Sequence, residues 1–269
     1  MKIRLGYEIL ISHPQYTPML TMLNIHHSRV GDILIADSMV TTPAVNVVQY
    51  RDSFGNLPSR LIAPPGQLRL YADALVQDTG LHDQYDYSAI QHEVSDLPEE
   101  CLQFLLGSRY CETDKLMQIA WDNFNPVLGG WARVQAICDF VHKRISFGYQ
   151  HARNTRTAYE GYMEGIGVCR DFAHLAVTLC RCMNIPARYC TGYLGDIGVL
   201  RDPAPMDFSA WFDVYIGGKW TTFDARHNVP RIGRVLIARG RDAADIAIST
   251  HFGPSTLDSF KVWTNQVPE

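Results

Sequence analysis

The segment Gly165-Ile-Gly-Val-Cys169-Arg-Asp-Phe-Ala-His174 places a cysteine behind two glycines, where an apolar stripe begins. Phe172, Leu175, Ala176, Leu179, Cys180 and Met183 recur at helical spacing, which predicts a buried helix that Asn184-Ile185-Pro186 stops. A free thiol, with a pKa of about 8.5, is only ~3% ionised at neutral pH. The unpaired N–H groups and dipole at a helix start stabilise the thiolate and are expected to bring Cys169 below a pKa of ~7.5. The glycines let backbone approach a reacting carbonyl, whose developing oxyanion N–H groups could bind. A structural cysteine at a helix start has the same spacing, so spacing alone leaves both readings open.

A second segment could supply the partners of a nucleophile. From Ser209 to Ile216 apolar and polar residues alternate, Gly217-Gly218 forms a two-residue hairpin turn, and Lys219 to Ala225 returns as the partner strand. That register pairs Ile216 with Lys219 and sets Trp211 opposite Asp224. Ser209 then lies on the same face, one diagonal step from Asp224, at ~7–8 Å between Cα atoms. A histidine at 209 would be oriented by Asp224 and could face a thiol, as nucleophile–base–orienter chemistry requires.

Four motifs occur in order over about residues 110–245: Gly-Val-Cys169-Arg-Asp-Phe-Ala-His, Ile-Pro-Ala-Arg-Tyr-Cys-Thr-Gly-Tyr-Leu, Ala-Trp-Phe-Asp-Val-Tyr and Phe-Asp224-Ala-Arg-His-Asn. Together they resemble the bacterial transglutaminase-like cysteine peptidases. The resemblance implies an α+β fold with a papain-like core, helices packed on an antiparallel sheet, preceded by a β-rich N-terminal domain. It also implies a Cys–His–Asp triad acting on peptide or glutamine amide bonds through a Cys169 thioester. A protein or peptide substrate follows, with neither a metal nor an organic cofactor.

The chain departs from this pattern at one position. The family histidine stands immediately before Ala-Trp, and here that position is Ser209. A serine cannot act as a general base near neutral pH. His227 is closest in sequence to Asp224, but three residues along a continuing strand the two would point to opposite faces. His227 could substitute only if the strand ends or bulges after Asp224, which Asn228-Val-Pro230 permits. His174 reads as a packing or capping residue, His151 as a loop residue, and His251 is too remote to place. Tyr149 and Trp211 are read as substrate contacts. Trp211 and Trp220 share the hairpin face of Asp224 and would either shield the site from water or belong to the core.

Two functions therefore stand. One is a cysteine peptidase, amidase or acyltransferase. The other is a catalytically impaired relative that binds protein or peptide on the same fold.

Around these segments the elements are predicted as follows. Residues 1 to about 95 read as β-rich, with Ile3, Leu5, Tyr7 and Ile9 alternating at period two and further strands at Val45 to Arg51 and Gln67 to Val76. Helices are predicted at about 97–107, 113–123 and 130–145, the last with Val134, Ile137, Cys138, Val141 and Ile145 on one stripe. A boundary near residue 95 divides a 1–95 accessory domain from a 96–269 core.

With 46% apolar and 19% charged residues the composition is that of a globular protein rather than a disordered one. The net charge of −4 argues against a nucleic-acid binder. The segment Gly233 to Asp245, with Arg234, Arg239, Arg241, Asp242 and Asp245, could supply a carboxylate-binding arginine but reads first as a surface ion network. No apolar run is long enough for a membrane helix and the N-terminus reads as a strand, so a cytoplasmic location is the expectation. The seven cysteines are odd in number and include no CxxC pair, which suits small buried hydrophobes. Cys180 and Cys182 point to different sides of a helix, which argues against a zinc site.

Overall fold

The computed structural model describes residues 1–268. Seven strands come first: β1 (Lys2–His13), β2 (Thr17–Thr21), β3 (Ile33–Ile35), β4 (Val40–Thr42), β5 (Val48–Gln49), β6 (Ser59–Ala63) and β7 (Gly66–Gln77). The helical part holds α1 (Glu99–Leu102), α2 (Thr113–Phe124), α3 (Trp131–Arg144), β8 (Ser146–Phe147), α4 (Ala158–Glu164), β9 (Ile166–Gly167) and α5 (Cys169–Cys182). Six strands close the chain: β10 (Ala187–Tyr193), β11 (Ser209–Ile216), β12 (Lys219–Phe223), β13 (Val235–Gly240), β14 (Ser249–His251) and β15 (Thr256–Val267). The α+β class is as the sequence implies.

The site rests on α5 and the sheet ordered β12-β11-β10-β13. Every residue of α5 from Asp171 to Cys182 is buried, so the helix is enclosed on all sides rather than amphipathic. Its polar members find partners inside: Thr178 Oγ1 donates to His174 O, and Arg181 donates to the carbonyls of Ala187, Leu106 and Arg241. β11 and β12 pair in the expected register, with Ile216 opposite Lys219 and Phe212 opposite Phe223. Gly217 and Gly218 both take positive φ, 59° and 76°, the conformation a tight hairpin demands.

The first strands form two further sheets, ordered β15-β1-β7-β3 with β4 beside β7, and β14-β2-β6-β5. The period-two residues Ile3, Leu5, Tyr7 and Ile9 are all buried. β15 runs antiparallel to β1 from Thr256 to Val267, and β14 pairs with β2. A split at residue 95 therefore does not partition the molecule, because the last strands return to the first sheets. One apolar cluster also joins Tyr7, Leu68 and Leu70 to Ala173, Tyr189, Tyr193 and Phe208 across that division.

Three local expectations change. The helix expected at 97–107 shortens to α1, after which Phe104 and Leu105 bond back only three residues. Of Val45 to Arg51 only Val48–Gln49 pairs as strand, on exposed residues with no face to bury. α4 was not anticipated, although its start carries a capping box: Thr157 accepts from Glu160 N, and the Glu160 carboxylate accepts from Thr157 N. No helix among the described residues is long and apolar enough to cross a membrane.

Candidate functional site

Cys169 opens α5 from a loop that its own helix ties down. Val168 N–H donates to Asp171 Oδ2 at 2.9 Å, and Arg156 Nη1 donates to the same oxygen at 3.0 Å. A Cβ at Gly167 would stand 2.7 Å from that oxygen, so the loop approaches the helix as closely as only glycine allows. The amides of Asp171 and Phe172 turn back to Val168 O. Those of Cys169 and Arg170 make no hydrogen bond among the described residues, leaving two donors at the helix start.

The Cys169 side chain is half-buried in the wall of a cavity of about 950 Å³, and its Sγ lies 4.0 Å from Phe208 O. Burial pushes the thiol up to about 11. Arg226 and the Ala210 N–H oppose this, while Asp207 and Asp224 add to it. The direction is opposite to the expected thiol below ~7.5, and burial is its largest cause.

Ser209 opens β11 opposite Gly192, is buried, and lines the same cavity. Its Oγ has no hydrogen-bond partner among the described residues. It is not joined to Asp224, whose carboxylate is fully occupied. Oδ1 accepts from Arg226 N at 3.0 Å and His227 N at 3.1 Å; Oδ2 accepts from His227 Nδ1 at 2.8 Å and Arg234 Nη2 at 2.9 Å. Burial opposes the charge on Asp224, but Arg234 and His227 outweigh it and hold the carboxyl well below the usual carboxylate range.

His227 reaches Asp224 because β12 ends at Phe223. Asn228 N donates to Asp224 O at 2.8 Å and Asn228 takes φ 52°, so the chain turns instead of continuing. The Asn228 side chain is anchored on α3 by Asp139 and Gln135. An ionised carboxylate only accepts, so Nδ1 of His227 carries a proton, and the ring nitrogen turned away from Asp224 is Nε2. His227 and Cys169 line the same cavity.

The back of Asp224 is held by Arg234, whose Nε donates to Asp83 at 2.8 and 3.1 Å. Arg231, which also lines the cavity, is buried and donates to Gly195 O. A surface network therefore describes Arg241 and Asp245, which form a partly exposed pair, but not Arg234. Trp211 is buried beneath Arg234, whose Cζ lies 5.1 Å from the ring, and it does not line the Cys169 cavity. Trp220 stacks under Arg188 at 4.1 Å. Tyr149 does line the cavity, packed edge-on against Phe147.

His174 is buried, stacked on Tyr110, and accepts from Ala243 N. His251 stacks on His13. All seven cysteines are free, and Cys169 alone is not fully buried. No group of three or more metal-ligating side chains converges among the described residues.

Two cavity residues escaped the sequence reading. Arg226 sits between Asp224 and His227, with its Cζ 3.7 Å from the Phe147 ring. Its place inside the Asp224 motif was the available signal. Asp207, two residues before Ser209, reads as an ordinary loop residue; it accepts from Phe208 N at 2.6 Å and lines the cavity.

Residues 124–225 match the family model of the transglutaminase-like superfamily. The crystal structure of a putative cysteine protease from Cytophaga hutchinsonii superposes with a TM-score of 0.84 at 30% identity, covering 100% of this chain and 91% of that one. An uncharacterized protein of Mycobacterium leprae is 36% identical over 84 residues, a match that takes in 30% of each chain. The periplasmic domain of TgpA from Pseudomonas aeruginosa superposes with a TM-score of 0.43 at 13% identity, over 83% of this chain and 88% of that domain.

Proposed function

This chain belongs to the transglutaminase-like superfamily, and we propose that it is a cysteine peptidase or amidase in which His227, not residue 209, serves Cys169 as general base. The observation that carries the reading is the 2.8 Å contact between His227 Nδ1 and Asp224 Oδ2, made in the wall of the cavity onto which Cys169 opens. Asp224 takes the role of orienter, fixing the imidazole with Nε2 as the free base.

In this mechanism a thiol near 11 rests protonated at neutral pH. Its proton moves to His227 Nε2 as sulfur attacks the amide carbon, forming the S–C bond and placing the electron pair on the carbonyl oxygen. The free amides of Cys169 and Arg170 lie at the helix start and would bind the oxyanion. Collapse breaks the C–N bond, the imidazolium gives its proton to the departing amine, and a thioester remains. Water, deprotonated by His227, cleaves the thioester and returns the thiol. An amine in place of water would give acyl transfer by the same steps.

A second reading is a binding module on the same fold. The raised thiol and the serine at 209 favour it.

Intact-mass measurement during turnover of peptidyl amides separates the two. The enzyme reading expects an acyl adduct on Cys169, absent in Cys169→Ala and strongly reduced in His227→Gln. Absence of both adduct and hydrolysis between pH 6 and pH 9, with peptide binding retained, would establish the binding module instead.

A further inference from the structure

Arg226 is a cation held open beside the thiol. Arg156 pairs with Asp171, Arg188 with Asp213, Arg231 with Asp196, and Arg234 with both Asp83 and Asp224. Among the described residues, Arg226 has no carboxylate at ion-pair distance. Its position is nonetheless fixed at both ends. The backbone N–H is bound by Asp224 Oδ1 at 3.0 Å, and the guanidinium lies over Phe147 at 3.7 Å. Phe147 is in turn packed by Tyr149 and Phe172. Stacking occupies one face of the guanidinium plane and leaves the in-plane N–H donors, which the Tyr149 hydroxyl approaches, as a fork suited to a carboxylate. The group lines the Cys169 cavity and is close enough to act on the thiol's charge. Asp207 lines the same cavity and feels its charge; it stands beyond ion-pair distance and accepts its own neighbour's N–H.

We propose that Arg226 is the carboxylate-recognising residue of this cavity, and that its substrates carry an acidic group beside the amide that Cys169 attacks. The inference rests on reading the cavity as the active site. An arginine with a preorganised stack loses little freedom on binding an anion, whereas a lysine there would lose the fork and the stack. Asp207 repels the same anion, so its removal should deepen the preference.

The test is a set of fluorogenic peptidyl amides with Glu, Gln or Lys at each of the two residues preceding the scissile amide. At one of these positions Glu is expected to exceed Gln in kcat/KM by on the order of 10–100-fold, the range for a charge-assisted hydrogen bond. The preference should sit mainly in KM, fall to near unity in Arg226→Gln, survive in part in Arg226→Lys, and grow in Asp207→Asn. Hydrolysis without an acidic preference, or a preference unchanged in Arg226→Gln, overturns the inference while leaving the proposed chemistry intact. If no peptide is turned over, the chemistry fails, and the inference is decided separately by the affinity of the Glu and Gln peptides for Cys169→Ala and Cys169→Ala/Arg226→Gln. Equal affinities in both proteins overturn it. Should Arg226→Gln not fold, Arg226→Lys and the salt dependence of KM for the Glu peptide give the same decision, and no salt dependence counts against it.

Discussion

Asp224 and His227, three residues apart, meet side chain to side chain at 2.8 Å because the backbone between them has left the strand. On a continuing strand they would point to opposite faces. The turn is held by Asn228, whose side chain bonds to Asp139 and Gln135 on α3. The helical layer therefore sets the geometry of a pair that belongs to the sheet.

The first prediction concerns that pair. His227→Gln should lower kcat on amide substrates by at least ~10²-fold, the usual contribution of a positioned general base. Stability should change little, because the imidazole is partly exposed and Asp224 keeps three other donors. Steady-state kinetics beside urea denaturation checks it; a loss of activity below threefold would remove His227 from the mechanism.

Ser209 gives the second. From sequence alone, a histidine restored at 209 should raise activity if the native protein is an inactivated relative whose site geometry survives. In the structure all four hydrogen bonds of the Asp224 carboxylate are already made, which argues against a gain. Ser209→His should give no gain in kcat/KM in the otherwise native protein. In combination with His227→Ala, which removes one of the two donors on Asp224 Oδ2 and leaves Arg234 on it, the same substitution should recover activity over His227→Ala alone. A gain in the single variant would show that position 209 is still the productive one. Ser209→Ala should be neutral or stabilising by up to ~1 kcal/mol, because it removes a buried hydroxyl without a partner.

These two cases mark what the residues reveal on their own. The register of β11 and β12 is legible because Gly217-Gly218 fixes it locally, and α5 because its apolar positions recur at one period. The domain split misleads because β15 pairs with a strand some 250 residues earlier, a non-local contact without a local signature. Arg234 looks like a surface charge until Asp83, 151 residues earlier, and Asp224, ten residues earlier, are folded onto it. The thiol's state is illegible for the same reason. Its helix position is local, but the burial and the carboxylates that raise it come from the assembled cavity.

The third prediction follows from that thiol. The rate of iodoacetamide alkylation of Cys169 should rise about tenfold per pH unit from pH 7 to pH 9 without a plateau, as for a thiol near 11. Arg226→Gln should lower the rate at each pH, because the guanidinium favours the thiolate. A plateau below pH 8 would mean that Cys169 rests as a preformed thiolate.

Arg234 supplies the fourth. It is buried and bridges Asp83 to Asp224. Arg234→Met leaves the buried Asp224 and the half-buried Asp83 without their cation and should cost about 3–5 kcal/mol in urea denaturation. Asp83→Asn, which retains an acceptor and leaves the Asp224 pair in place, should cost less. Equal losses would mean that the Asp224 side of the bridge contributes nothing.

The last prediction is a pH dependence outside the cavity. His26 and His174 are buried, and burial lowers both, His26 to about 3 and His174 well below its ordinary value. Each must stay neutral in the fold: His26 Nδ1 accepts from Ser28 N, and His174 Nε2 accepts from Ala243 N. The unfolded chain binds a proton at each near pH 6.5, and the folded chain does not. Their contribution to stability is therefore complete above about pH 6.5. It declines below that by up to ~1.4 kcal/mol per pH unit for each histidine, for His26 until about pH 3. Asp224 does not contribute between pH 7 and pH 5, since a depressed carboxyl loses its stabilising effect only below about pH 4. Urea denaturation of the native protein, His26→Gln and His174→Gln at pH 7, 6 and 5 should give a shallower decline in each variant. Parallel declines in all three proteins would show that neither imidazole is held neutral by the fold.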